Sequence, residues 1–426
     1  MFPSIIMMIF TSIYSVVDGL FVSNFVGKSA FAAVNLIMPF LMGISALGFM
    51  IGTGGSAIVA KTLGEGKIEN ANEYFSMLVY ITAIGGIIIA ILSMFLVKPV
   101  AILFGASDTL LDNCILYGRI LCISLPAFML QNVFQSFFVT AEKPHLGLRV
   151  IVIAGVTNMV LDFLFVAVFH LGLPGAGFAT VCGEFIGGLF PLFYFGRKNS
   201  SLLKLGKTHF HGRILLKTCT NGSSELMTNL SSSVVNALYN MQLMKFAGED
   251  GVAAYGTIMY VNFIFVSIFF GYAIGSAPIV SYHYGANNQD ELKNLFHKSI
   301  RLIGTWAVSL FIIAQLIATP LATLFVGYDQ GLFELTRSGF RLYSFAFLIN
   351  GFNIYGSAFF TALNNGLLSA LISFLRTLVF QMAVVLLLPL LLGINGVWCS
   401  VAIAELLTLC VTGTFIVLKR NTYHYL

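Results

Sequence analysis

Two acidic residues sit in surroundings that ought to repel them, Asp18 in the run SIYSVVDGLFV and Asp162 in TNMVLDFLFV. An ionised carboxylate at mid-bilayer costs roughly 2.5–3.5 kcal/mol even on the lenient insertion scale, so one retained in an apolar run has a task. Each has a polar companion four residues earlier, Tyr14 and Asn158, on the same face of a helix. Thr180 offers a hydroxyl at similar depth in the next apolar run but one after Pro144. Two carboxylates with neutral oxygen donors can share a proton or ligate a small hard cation, because they do not both stay ionised out of water without added positive charge. The bland alternative is a static buried hydrogen-bond network.

Three further acids, Glu184, Glu225 and Glu405, lie in apolar runs. Glu225 heads a series in which Asn229, Ser232, Ser233, Asn236 and Asn240 recur at three to four residues, one polar stripe on a helix. Such a stripe faces a bundle interior or water. It is expected to line a central cavity, with Glu225 attracting a substrate's positive charge near the cytoplasmic entrance or holding a proton in the C-terminal half. A seam packed against the eighth or tenth span is the alternative.

The elements that must position these groups follow from composition. Of 426 residues, 58% are hydrophobic and 9% charged, with mean hydropathy +0.92, against roughly 45–50% and 25% in a soluble domain. Apolar runs of about 20 residues, the length of a bilayer-crossing helix, recur throughout, and solid blocks such as 81–97 exclude the alternating pattern of a β-barrel. Gly, Pro, Asn and charged clusters divide them into spans near 2–26, 31–62, 74–97, 113–139, 150–170, 176–196, 218–246, 252–284, 300–320, 337–362, 368–391 and 397–417. The fold class is therefore an all-α polytopic membrane protein. With odd-numbered connections outside, that side holds Glu249, Asp250, Lys28, Lys98, Arg119, Lys245, Arg337 and Arg341. The remaining bases, among them Arg197, Lys198, Lys204, Lys207, Arg213 and Lys217, fall inside, as the positive-inside rule requires. The net charge of +5 thus reflects loop orientation and not nucleic-acid binding. The opening MFPSIIMMIF lacks the basic region of a signal peptide.

A shift of 221 residues aligns the chain with itself without a gap over most of each half. It pairs Gly27 with Gly248, Gly54 with Gly275, Gly64 with Gly285, Pro99 with Pro320, Asp108 with Asp329, Asn132 with Asn353, Gly172 with Gly393 and Glu184 with Glu405. Six spans per half return the chain to its starting side, so the halves insert in parallel and are related by an axis along the membrane normal. Parallel repeats of this kind build transporters whose lobes rock about a site between them. The lobes are expected at 1–197 and 218–426, with 198–217 and the C-terminus cytoplasmic. The second repeat enters through GKTHFHGRILLKTCTNG, whose counterpart would precede Met1, so an upstream arm is expected to be missing or dispensable. As repeat mates, Glu184 and Glu405 are read as an architectural pair near the cytoplasmic ends, bonded to a loop base or helix end. Asp18, Asp162 and Glu225 have no acidic mates, so their chemistry belongs to one lobe.

Gly52-Thr53-Gly54-Gly55-Ser56-Ala57, with Glu73 about 20 residues on, fits a dinucleotide fingerprint formally. It lies in a helical apolar block, where small residues let helices approach closely, as at Gly48, Gly52, Gly271 and Gly275. Cys114, Cys122, Cys182, Cys219, Cys399 and Cys410 form no CxxC pair and read as small core residues. His145, His170, His209, His211, His283, His297 and His424 lie near loops or span ends. No HExxH, GxxxxGK[ST] or GxSxG occurs, so the reading is a non-enzyme without a cofactor, driven by an ion gradient.

Together the motifs Tyr14-Ser15-Val16-Val17-Asp18 running to Gly27, Pro39 with GTGGSAIVAKTLGEG, TAEKP, Asn158-Met159-Val160-Leu161-Asp162, Gly175-Ala176-Gly177 and PIVSYHYGANN resemble the multidrug and toxic compound extrusion (MATE) family of bacterial exporters, in its DinF-like branch. The resemblance covers essentially the whole chain. It implies two six-helix lobes and a monomer that antiports lipophilic cationic drugs outward across the lipid bilayer against H⁺ or Na⁺. The family's N-lobe cation site maps onto Asp18, Asn158, Asp162 and Thr180. Where some members carry an acidic residue in the tenth span, Asn353 stands here.

The competing function is a lipid-linked sugar flippase of the same superfamily, which needs a basic cavity; only Arg119 and Arg376 are candidates. The interior is expected instead to be acidic and rich in Phe, Tyr and Met, suited to lipophilic cations. A major-facilitator carrier would show G-x-x-x-D-R-x-G-R after the second span, where Leu63-Gly64-Glu65-Gly66-Lys67 stands. A scaffold would have no need of carboxylates in its spans.

Overall fold

Twelve helices and no strand are found among the described residues of the computed structural model, as expected of a backbone that must satisfy its own polar groups in lipid. It describes residues 1–106 and 108–426, without the side chains of Ser15, Leu20, Asn24, Lys28 and Asp108; the outer-side Lys28 and the Asp108 repeat pairing therefore lie outside the described residues. The first lobe contains α1 (Phe2–Phe21), α2 (Lys28–Gly64), α3 (Ile68–Leu103), α4 (Asp108–Thr140), α5 (Pro144–Asp162) and α6 (Gly172–Gly196). Gly212–Gly285 then turns sharply at Gly248 (φ 62°, ψ −148°), which divides it into α7, 212–247, and α8, 249–285. The second lobe continues with α9 (Gln289–Val326), α10 (Gln330–Ala362), α11 (Gly366–Leu392) and α12 (Ile394–Tyr423).

Several helices outrun their apolar runs because their first turns are polar and capped. Asn288, Asp329 and Asn365 each accept a hydrogen bond from the backbone N–H three residues on, so α9 starts at Gln289 and not near 300. The segment expected as a linker over 198–217 is helical from Gly212 onward. The remainder is clipped along α3: Asn72 Oδ1 accepts from Lys204 N (2.6 Å), Ser76 Oγ accepts from Gly206 N (3.0 Å), and Glu73 Oε1 contacts His209 Nδ1 (2.9 Å) and His211 Nε2 (3.1 Å). These histidines, unremarkable in the sequence, fasten the connection between the lobes.

The duplication is visible in the backbone. Left-handed conformations recur at the 221 shift in Gly27 and Gly248, Gly66 and Asn287, and Gly172 and Gly393. It is visible in packing too: Phe75 meets Phe134 at 6.5 Å between centroids, and their mates Phe296 and Tyr355 meet at the same distance. Phe195 closes the first cluster, whereas Tyr425 from the chain's last residues closes the second.

The lobes touch through small residues. A Cβ at Gly54 would overlap the Thr218 carbonyl of α7, and one at its mate Gly275 would come within 3.2 Å of Met1 Cα, the residue before α1; Gly64 and Gly285 face the Tyr282 and Lys61 carbonyls across the α2–α8 contact. These contacts cluster at the helix ends nearest segment 197–211, so the lobes are shut on that side. Gly52, by contrast, packs inside its lobe against Asn132 and Val133 of α4. The glycine motif is thus a packing seam.

Six free thiols are present, but only Cys114 and Cys122 are buried; Cys410 is exposed. On a surface facing lipid a small apolar side chain costs nothing, so the reading of all six as core residues is corrected.

Candidate functional site

In the first lobe a cavity of about 90 Å³ is lined by Tyr14 and Asp18 of α1, Gln131 of α4, Asn158 of α5, and Thr180 and Glu184 of α6. Asp162 lies beside Asp18 in this group and is itself fully buried. The four-residue spacings in α1 and α5 thus point two faces at each other, and α6 supplies Thr180 as expected. Asn158 Nδ2 approaches Thr180 Oγ1 at 3.5 Å, leaving the amide oxygen free. Four buried oxygens here, Asp18 Oδ1, both of Asp162 and Asn158 Oδ1, have no hydrogen-bond donor among the described residues. Buried polar atoms normally find partners. An oxygen-only set missing positive hydrogen or charge fits a proton or a small hard cation such as Na⁺, and offers nothing to a soft metal.

Local backbone geometry sets these acids in place. A π-helical turn, Val22–Val26, follows Asp18, and another, Phe163–Val168, starts immediately after Asp162. Such turns widen a helix locally and are frequent at functional sites. Sequence reasoning missed Tyr117 and Gln131. Tyr117 of α4 is buried with an unpartnered hydroxyl and is near Asp18, Asp162 and Glu184; nothing in the apolar run around it gave a signal. Gln131 belongs to QNVFQS, a polar cluster within a span that was a usable clue.

Glu184 and Glu405 depart from expectation. Both lie near the middle of their helices, Gly172–Gly196 and Ile394–Tyr423, and not at the ends, as their places within the apolar runs 176–196 and 397–417 already required. Glu184 joins the acidic cavity, whereas Glu405 pairs with Arg376, a base inside α11: Nε donates to Oε1 at 2.8 Å and to Oε2 at 3.1 Å. Asn353 Nδ2 donates to Glu405 Oε2 at 2.7 Å, so Asn353 serves as this carboxylate's anchor. Arg376 stands on a third π-helical turn, Leu375–Phe380. The interior is therefore not uniformly acidic, although Arg119 is exposed away from it.

Between the lobes lies a cavity of about 290 Å³ that Ser232 and Asn236 line, with Met8 and Ser12 of α1 on its first-lobe side, while Glu225 lines a smaller adjoining one with Thr228, Arg376 and the first-lobe residues Thr53, Ser56 and Ser136. Asn229, Ser233 and Asn240 line neither, and Asn229 spends its amide on the Glu225 carbonyl at 2.8 Å. The expected single stripe is split, because Asn and Ser also bond back to their own helix.

Comparison with known proteins agrees with this architecture. The MatE family model matches residues 3–164 and 226–387. The chain is 22% identical over 420 residues to the multidrug export protein MepA of Staphylococcus saprophyticus, covering 97% of this chain and 91% of that protein. It is 23% identical over 410 residues to MepA of Staphylococcus haemolyticus, with 96% and 89% covered. A MATE crystallised in complex with MaL6 superposes with a TM-score of 0.94 at 22% identity, over 100% of this chain and 96% of that one. The outward-facing conformation of a multidrug resistance MATE family transporter of the MOP superfamily also superposes at 0.94, with 22% identity and 100% and 95% covered. With one matched segment in each lobe and most of the chain taken in, the protein belongs to the MatE family of membrane transporters.

Proposed function

We propose that the protein is a secondary active multidrug exporter that moves lipophilic organic cations out of the cell against H⁺ or Na⁺. The observation that carries this reading is the group of donorless buried oxygens on Asp18, Asp162 and Asn158. Such a group binds one positive charge, from the coupling ion, and is destabilised when that charge leaves. Thr180 and Tyr14 are its neutral neighbours. Ion binding from outside favours the conformation that releases drug, and loss of the ion to the cytoplasm resets the lobes. The names of the MepA relatives support the export of drugs.

The moving bodies are taken as 1–197 and 218–426, in a monomer in the bacterial cytoplasmic membrane with segment 198–217 and the C-terminus cytoplasmic. Glu225 attracts the substrate's charge, beside a cavity whose Tyr239, Tyr255, Phe263 and Met259 suit flat lipophilic ligands. A lipid-pyrophosphate flippase is disfavoured, because the one base lining the inner cavities among the described residues, Arg376, is already paired with Glu405. The test is ethidium efflux from vesicles with Na⁺ and H⁺ gradients imposed separately. Efflux driven by either supports the reading, and efflux unaffected by both sinks it.

A further inference from the structure

We infer that Arg376, on the second-lobe wall of the cavities between the lobes, makes a binding site there for the carboxylate of a planar, amphoteric aromatic ligand, a chemistry opposite to that of the first-lobe oxygen group. Its meaning for transport rests on the export reading above; the binding site itself does not.

The argument starts from what each charge has left to give. A carboxylate accepts about four hydrogen bonds. Glu405 receives Arg376 Nε on both oxygens and Asn353 Nδ2 on Oε2; Asn350, in the amide orientation that satisfies both of its own ends, donates to Oε1 at 3.2 Å. Glu405 is thereby saturated and has no oxygen free for a cationic ligand. Arg376 is in the opposite position. Only its Nε is used, and neither Nη makes a hydrogen bond among the described residues, although the side chain is just 12% exposed and lines both cavities between the lobes. A half-used guanidinium at a cavity wall presents a fork of N–H donors, and a carboxylate is the group that matches that fork in bidentate geometry.

Charge balance narrows the ligand. Glu405 behind Arg376 cancels most of its long-range field, so a multiply charged pyrophosphate finds too little positive charge here. A single carboxylate in close contact is held by hydrogen bonds that a distant charge does not feel. Glu225 beyond Arg376 suits a ligand that carries its own cation. The walls choose the remainder: Tyr239 and Tyr255, stacked at 5.5 Å with their planes 5° apart, both line the larger cavity and give it an aromatic wall.

The test measures fluorescence anisotropy of purified protein in lipid nanodiscs with two dyes that differ in one group, rhodamine 110, with a free carboxylate, and its methyl ester rhodamine 123. The readout is the ratio of acid to ester affinity, which cancels general damage to the cavity. Glu405→Gln, which frees Arg376 of its partner, raises the ratio. Arg376→Gln combined with Glu405→Gln, which avoids stranding a lone buried charge, lowers it by about tenfold, the loss of one charge-assisted fork. Arg376→Lys, which keeps the charge but not the fork, gives an intermediate value. A ratio unchanged in all three variants overturns the inference, whatever happens to the separate affinities. Failure of the export reading is distinguishable, because it shows as absent gradient-driven ethidium efflux in the unaltered protein while the ratio still responds to Arg376.

Discussion

The two lobes share a frame and differ in what they do with buried charge. At the 221 shift, Asp18, Asn158, Asp162 and Thr180 correspond to Tyr239, Val379, Ala383 and Val401, so of the first-lobe oxygen group the second lobe keeps only a phenol, whose hydroxyl is engaged with Gln381. Glu184 and Glu405 occupy matching places, yet one faces other carboxylates and the other faces Arg376. The mate of Arg376 is Gly155, where an added Cβ would lie 2.6 Å from the Phe10 ring and 2.9 Å from Tyr14. The ring of Tyr14 thus stands where the first lobe would need room for a base. One copy holds charge that must be neutralised from outside the protein, and the other neutralises its own. Duplication supplies two equal scaffolds; on the proposed coupling, a few replacements give one of them the ion site and leave the other without it.

This contrast is broken most directly at the acids. Asp18→Asn or Asp162→Asn is expected to reduce gradient-driven ethidium efflux to background, while the melting temperature in detergent stays at or above that of the unaltered protein, because a buried carboxylate with oxygens short of donors among the described residues loses its charge. A lowered melting temperature with normal efflux would make the cluster structural. The second lobe should respond with the opposite sign. Arg376→Gln or Glu405→Gln alone is expected to cost about 3–5 kcal/mol of stability, since each strands a buried charge, and the double replacement to recover most of it. Thermal melts of the three variants check this, and additive losses would contradict it.

Much of this was legible in the residues. Twelve apolar runs, a gapless repeat and acids lacking repeat mates led to the helices, the parallel lobes and the Asp18–Asn158–Asp162–Thr180 group, because i, i+4 spacing is a local property. The Arg376–Glu405 pair was not legible. Its partners are 29 residues apart on two helices, and the π-helical turn that aims Arg376 leaves no mark in hydropathy. Nor could the polar stripe of α7 reveal which members would bond their own backbone, as Asn229 does.

Smaller effects sharpen the picture of how the lobes meet. Gly54→Val forces methyl groups toward the Thr218 carbonyl and is expected to cost about 1–3 kcal/mol of overpacking, enough to loosen the shut side. Thiol labelling of the native Cys219, next to that contact, should then quicken. An unchanged rate would show that the α2–α7 seam does not hold the lobes together. The least effect is expected from Tyr117→Phe: removing a hydroxyl that makes no close hydrogen bond among the described residues should change efflux by about threefold at most, the scale of one modest hydrogen bond.

The central claim is that ion and drug compete through the first-lobe carboxylates. It is tested most directly by adding ethidium to purified protein in weak buffer and recording proton release with a pH dye, alongside release of pre-bound ²²Na⁺. Drug should expel one or the other ion from the unaltered protein, and neither from Asp18→Asn or Asp162→Asn. Full release from both variants, or no release of either ion from the unaltered protein, would contradict the account.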